Sequence, residues 1–111
     1  MIFSVKDYRD IIVNLSETTW YDKILDLIFG HPEVRAYSKE IRSAISQPDF
    51  VFKSVRDQRS KLFFRKLTRN FFSDYYLLVV VKYVKEIGRT VGYISTVFIT
   101  DKLPNKGKRL L

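Results

Sequence analysis

The chain has 111 residues, of which 46% are hydrophobic and none is cysteine, so it is long enough for one compact domain and too short for two. The lack of cysteine excludes disulfides, thiol catalysis and zinc-ribbon sites, and it is typical of a reducing, cytoplasmic environment. The longest apolar run, "YYLLVVV" at 75–81, has the length of a strand rather than of a membrane span, and the first ten residues lack the pattern of a secretory signal. We therefore expect a cytoplasmic protein that does not associate with membranes.

The formal charge of +8 is unevenly distributed along the chain. Residues 1–52 carry 6 Lys/Arg and 8 Asp/Glu, a net of −2, whereas residues 53–111 carry 14 Lys/Arg and 4 Asp/Glu, a net of +10. A basic block of this kind attracts a polyanion, such as a nucleic acid or an acidic protein. The alternative is a solvated basic surface that has no partner.

The first half of the chain predicts a β-hairpin followed by two helices. Short strands are predicted at 2–5 and 10–15. The first helix is predicted over 16–30, where Ser and Thr capping residues precede an apolar stripe at helical spacing and a glycine marks the end. The second helix is predicted over 32–46, because Pro32 suits a first helical turn and a Gln-Pro pair follows the apolar stripe.

The second half changes to a strand-like period, with β-branched and aromatic residues throughout. Four strands are predicted, at 50–55, 62–67, 75–84 and 91–100. Their short connections favour antiparallel pairing, and the third strand should be central because it is apolar on both faces.

The predicted fold class is therefore α+β, with an N-terminal β-hairpin, two helices and then a four-stranded antiparallel meander with the helices packed on one face. We expect a single domain over 1–103 and a basic C-terminal tail over 104–111.

Three stretches of the chain resemble one known group of domains. "WYDKILDLIFGHPEV" at 20–34 resembles the opening W-x-x-H-I-x(6)-H-P-E-Φ of small phage-associated nuclease-like domains. "AISQPDFVFKS" resembles their junction between helix and strand, and "YYLLVVVKYV…GYISTVFIT" resembles their paired strands. Over residues 10–107 the chain is thus similar to the barnase–EndoU–colicin–RelE fold group. It departs from the pattern at Lys23, where the group often has a first histidine, and at Val97, where a small residue is common.

The resemblance implies a metal-independent ribonuclease, acting as a toxin or as an effector of a phage or mobile element. In that reaction the 2′-OH attacks the adjacent phosphorus, while a base, an acid and a cation assist. His31 is the side chain whose ordinary pKa suits proton transfer near neutral pH. Arg65 and Lys82 are the candidate phosphate contacts, and Lys23 is a further candidate cation. We expect no cofactor and no metal, because the chain has one histidine and no cysteine.

The segment 53–72 carries 7 basic residues against one acid and has four interleaved phenylalanines. This pattern is typical of RNA binding, since Lys and Arg neutralise phosphates and an exposed aromatic ring stacks a base. The alternative is that the phenylalanines belong to the core. The candidate RNA contacts in this segment are Arg56, Arg59, Lys61, Lys66 and Arg69.

Three functions remain open at this point. The first is a ribonuclease with His31 as its acid or base. The second is a non-catalytic module of the same fold that binds RNA, DNA or an acidic protein, such as an antitoxin or immunity protein. The third is a protein-interaction domain that acts as a homodimer. Both His31 and Lys82 have structural alternatives, since His31 also suits the start of a helix and Lys82 the end of a buried strand.

Overall fold

The computed structural model describes residues 1–67 and 75–111, and a six-stranded mixed sheet forms its centre. The strands are β1 (Phe3–Lys6), β2 (Ile12–Leu15), β3 (Phe50–Lys53), β4 (Ser60–Lys66), β5 (Tyr76–Glu86) and β6 (Arg89–Thr100). They lie in the order β1-β2-β6-β5-β4-β3. The α+β class expected from the sequence is confirmed.

The N-terminal hairpin extends the sheet instead of standing apart from it. Strands β3 to β6 pair antiparallel with their neighbours in chain order, whereas β2 pairs parallel with β6 through Val13↔Gly92 and Asn14↔Tyr93. Gly92 permits this close approach, because a Cβ at that position would lie 3.0 Å from the Val13 Cγ2 atom of β2. The four strands of the second half are thus antiparallel neighbours in chain order, but they belong to a mixed, six-stranded sheet that the sequence analysis did not predict.

The first helix is shorter than the 16–30 segment expected from the apolar spacing. It is a π-helical segment, Thr18–Ile24, which ends where the Leu25 N–H donates to the Trp20 carbonyl oxygen at 2.9 Å. A 3-10 segment, Pro32–Tyr37, then leads directly into α1 (Ser38–Ser46). The intervening chain turns back on itself, so the apolar spacing does not continue as a helix.

Both faces of the sheet are apolar, because alternate side chains of the central strands point to opposite sides. On one face Leu77 and Val79 share the main core with Ile41 and Ile45 of α1. The other face carries a smaller cluster of buried and partly buried side chains, which are Phe50, Phe52, Leu62, Phe64, Tyr76, Leu78, Val80, Phe98 and Leu103. We call this second side the open face.

The C-terminal segment folds back along the outer edge of β3. The Lys53 N–H donates to the Lys108 carbonyl oxygen at 2.8 Å, and the Leu110 N–H donates to the Val51 carbonyl oxygen at 2.7 Å. The Arg109 guanidinium carbon lies 4.8 Å from the centre of the Phe50 ring. These contacts bring the basic end of the chain beside β3.

A buried polar contact ties the β1–β2 turn to the centre of the sheet. Asp7 is 3% exposed, and its carboxylate accepts hydrogen bonds from the Arg9 N–H at 2.8 Å, the Ile11 N–H at 3.0 Å and the Tyr83 hydroxyl at 2.6 Å. Burial, followed by the hydrogen bond to the Asp7 carboxylate, raises the pKa of Tyr83 far above its ordinary value of 10.0.

This contact predicts a loss of stability in alkali. The folded protein keeps the Tyr83 proton at pH values where the unfolded chain releases it, so the free energy of unfolding falls as the pH rises above about 10. In Tyr83→Phe this contribution is absent. Urea unfolding at several pH values should show the difference in stability, wild type minus variant, falling by about 1.4 kcal/mol for each pH unit above about 10. A difference that stays constant with pH would contradict the assignment.

Candidate nucleic-acid interface

The loop between β3 and β4 is fixed by its own side chains. The Ser54 hydroxyl accepts hydrogen bonds from the backbone N–H groups of Arg56 at 3.2 Å and Asp57 at 3.3 Å. The Asp57 carboxylate accepts from the Arg59 N–H at 3.0 Å and from the Ser60 hydroxyl at 3.1 Å. These are the short-range turns that Ser and Asp favour, and they leave Arg56 and Arg59 exposed.

The same carboxylate links this loop to β5. The hydrogen bond from the Arg59 N–H, more than any other interaction, lowers the pKa of Asp57, and the Ser60 hydroxyl and the Lys82 charge act in the same direction. Asp57 is therefore ionised at neutral pH, with the Lys82 Nζ atom 3.8 Å from one of its oxygens and the Arg59 Nε atom 3.7 Å from the other. Lys82 lies on the open face, opposite Ser60 of β4.

Basic side chains from four parts of the chain gather at this end of the sheet. Partial burial lowers the pKa of Lys61, and the nearby charges of Arg9 and Lys53 lower it further. We call this set the cationic end, and it comprises Arg9, Lys53, Arg56, Arg59, Lys61, Lys82 and Lys108. Within residues 1–67 and 75–111, no hydrogen bond or ion pair engages the Arg56 guanidinium.

A cleft of about 430 Å³ lies between the β3–β4 loop and the open face. Apolar side chains of β4, β5 and β6 line it together with polar groups of the loop: Ser54, Val55, Arg56, Asp57, Ser60, Leu62, Leu78, Val80, Thr96 and Phe98. The cleft therefore combines an apolar floor with a polar, cationic rim. This is the usual make-up of a ligand site.

A β-bulge in β6 determines which residues reach this face. The register of β6 shifts against Val80 and Val81, so that Thr96 lies opposite Val80 and Tyr93 lies opposite Lys82. Tyr93 and Thr96 are therefore on the same face although they are three residues apart. Simple alternation would put them on opposite faces.

His31 lies at the edge of the same face. Its ring is 5.1 Å from the ring of Phe98, measured between centroids, and its Nδ1 atom is 3.4 Å from a carboxylate oxygen of Glu33. The backbone N–H of His31 donates to the Ile24 carbonyl oxygen at 2.6 Å. Gly30 makes this turn possible, because a Cβ there would collide with the carbonyl oxygens of Lys23 and Ile24.

The structure does not gather all four candidate catalytic residues in one place. Arg65 pairs with Leu77 of the main core, on the face opposite Lys82, and its guanidinium donates to the Gln47 carbonyl oxygen. Lys23 is exposed in the π-helical segment. In the described part of the chain, no hydrogen bond or ion pair joins His31 to a lysine or an arginine.

The candidate RNA contacts are also divided between the two faces. Arg56 and Arg59 belong to the loop beside the cleft. Lys61 lies on the face of the main core, with its Nζ atom 4.9 Å from the centre of the Tyr83 ring. Lys66 is exposed at the far end of β4. Arg69 lies outside the described residues.

The two phenylalanines of the basic segment that the structure describes are buried, so they are not available to stack on a base. Phe63 is 0% exposed and Phe64 is 1% exposed, one on each face of β4. Phe71 and Phe72 lie outside the described residues. The ring that lines the cleft is instead Phe98, which the sequence analysis did not single out. The sequence predicts the strand that contains Phe98. It does not predict the face on which Phe98 lies, because that depends on the β-bulge, which has no clear sequence pattern.

Comparison with known proteins assigns no relative to this chain. No protein family, curated protein or solved structure matches it. In the described residues, no helix is long and apolar enough to cross a membrane.

Proposed function

We propose that the domain binds RNA through the cationic end and the adjoining cleft. The observation that supports this most directly is the cationic end, whose seven basic residues share one end of the sheet with two carboxylates, Asp7 and Asp57, that already accept hydrogen bonds. Such a surface keeps a net positive potential, and it binds phosphates by releasing their counterions. Arg56 is the strongest single candidate, because an unpaired guanidinium binds a phosphate in two places.

The apolar floor of the cleft favours a nucleic acid over an acidic protein. A nucleic acid presents flat base surfaces next to its charges, and the cleft places Leu62, Val80 and Phe98 next to Arg56. Stacking and phosphate contacts together are the usual basis for binding single strands. The resemblance noted in the sequence favours RNA among the nucleic acids.

The proposal is tested by removing two cations that have no structural role. Lys53→Ala combined with Arg56→Ala removes two exposed charges and leaves the bonds of Asp57 intact. We expect RNA affinity to fall about 10-fold and the slope of log K against log salt to become shallower by about 1.5, as for two lost phosphate contacts. Fluorescence anisotropy with a labelled RNA over a salt series measures both quantities.

The matched control removes the same charge from the helical layer. Arg35→Ala combined with Lys39→Ala changes two exposed residues of the 3-10 segment and α1. Its slope should stay within about 0.5 of the wild-type value, since it removes no phosphate contact. Equal losses in the two double variants would contradict the placement of the site, and an absence of RNA binding at low salt would contradict the function.

Metal-independent RNA cleavage is the second candidate function. The observation that favours it is the imidazole of His31, placed beside Phe98 at the edge of the cleft with the Glu33 carboxylate next to it. A base oriented by a carboxylate is a recurring arrangement in proton transfer. Binding ranks first because, in the described residues, no hydrogen bond or ion pair joins His31 to a lysine or an arginine.

A further inference from the structure

We infer that the cleft accepts one unpaired nucleotide of the bound RNA, so that the domain selects single strands over duplexes. The inference rests on the proposed function and adds the class of RNA to it. It is carried by the shape and lining of the cleft rather than by the net charge. Its volume of about 430 Å³ lies within the range of small-ligand sites, roughly 300–1,000 Å³.

Different parts of the cleft lining are suited to contact the base and the phosphate of one nucleotide. Leu62, Val80 and Phe98 present an apolar surface on which the flat face of a base packs. The rim supplies the Arg56 guanidinium for a phosphate. The Asp57 carboxylate is paired with the Lys82 ammonium at 3.8 Å, so its negative charge at the rim is offset and does not repel the phosphate.

A base must be outside a helix to use this site. In a duplex the flat faces of the bases are covered by their neighbours, and the protein reaches only the backbone and the groove edges. The cleft is open towards solvent between the β3–β4 loop and the sheet, so a base that is already unpaired enters without an unstacking cost. A duplex would contact the cationic end through its phosphates alone.

Three labelled RNAs of equal length test the inference by anisotropy: a single strand, its duplex, and a single strand with abasic positions at its centre. The single strand should bind the wild-type protein about 10-fold more tightly than either of the others, which is the effect of stacking one base. Equal affinity for all three would overturn the cleft assignment while leaving RNA binding in place. Failure of all three to bind would instead overturn the proposed function.

Two variants connect this preference to the cleft. Thr96→Phe fills the space above Val80, and Phe98→Leu removes the ring while keeping an apolar side chain. Both should lose the preference for the single strand and keep the affinity for the duplex. Thr90→Phe is the matched control, since it makes the same change at an exposed position of the same strand away from the cleft. A preference that persists in both cleft variants would overturn the inference, and thermal unfolding confirms that each variant is folded.

Discussion

Replacing Asp7 with alanine is expected to lower the free energy of unfolding by about 3 kcal/mol, the largest loss among the substitutions considered. The carboxylate is 3% exposed and accepts three hydrogen bonds, two from the backbone of the β1–β2 turn and one from the Tyr83 hydroxyl. Alanine leaves these donors without partners where water has little access. Bonds to a charged acceptor are among the stronger ones, so their loss is costly.

Urea unfolding followed by circular dichroism measures this effect. Asp22→Ala is the control, because Asp22 is an exposed acid of the π-helical segment. It should change the free energy of unfolding by less than about 0.5 kcal/mol. A loss of the same size in both variants would show that the buried network is not what anchors the hairpin.

The second half of the fold was accessible from the sequence because its strands are rich in β-branched and aromatic residues and are separated by short connections. The sequence predicts these strands at 75–84 and 91–100, and in the structure β5 runs over Tyr76–Glu86 and β6 over Arg89–Thr100. Long strands with a buried face constrain their own register, and short connections leave antiparallel pairing as the simple arrangement. The parallel pairing of β2 with β6 could not be predicted from apolar patterns or loop lengths, because it involves a close approach of the two strands at Gly92.

The first helix shows where apolar spacing misleads. Trp20 and Ile24 are buried as the spacing predicts, but Leu27 is 85% exposed and Ile28 is 80% exposed. The chain leaves the helix at Leu25, because a turn closed by the Gly30 N–H and the Asp26 carbonyl oxygen replaces the next helical turn. The spacing of apolar residues predicts which side chains a helix would bury, but it does not predict the residue at which the helix ends.

The candidate site was harder to predict, because its residues come from separate elements. Sequence reasoning identified the basic loop and the alternate faces of Arg65 and Lys66, which follow from the period of a strand. It did not place Phe98 next to Val80, since that depends on the bulge in β6. It also treated Lys82 and Arg65 as partners, whereas their positions in β5 and β4 put them on opposite faces.

Replacing His31 with alanine is expected to lower the rate of metal-independent RNA cleavage by a factor of about 100 or more, if proton transfer by its imidazole limits the reaction. The ring lies against Phe98, at the edge of the cleft that we assign to an unpaired nucleotide. The His31 ring is not itself part of the cleft lining, but it contacts a ring that is. Cleavage in the presence of EDTA, followed by gel electrophoresis of an end-labelled single-stranded RNA, measures the rate.

The affinity for RNA separates a catalytic role from a structural one. His31→Ala should bind the single strand within about 3-fold of the wild type, since the imidazole carries none of the phosphate contacts. Glu33→Gln keeps the shape of the side chain next to the His31 Nδ1 atom and removes its charge. Because a carboxylate that orients a base assists proton transfer, this variant should cleave RNA more slowly than the wild type and keep its affinity for the single strand. Cleavage that survives unchanged in His31→Ala would remove His31 from the reaction and leave the domain as a binding module.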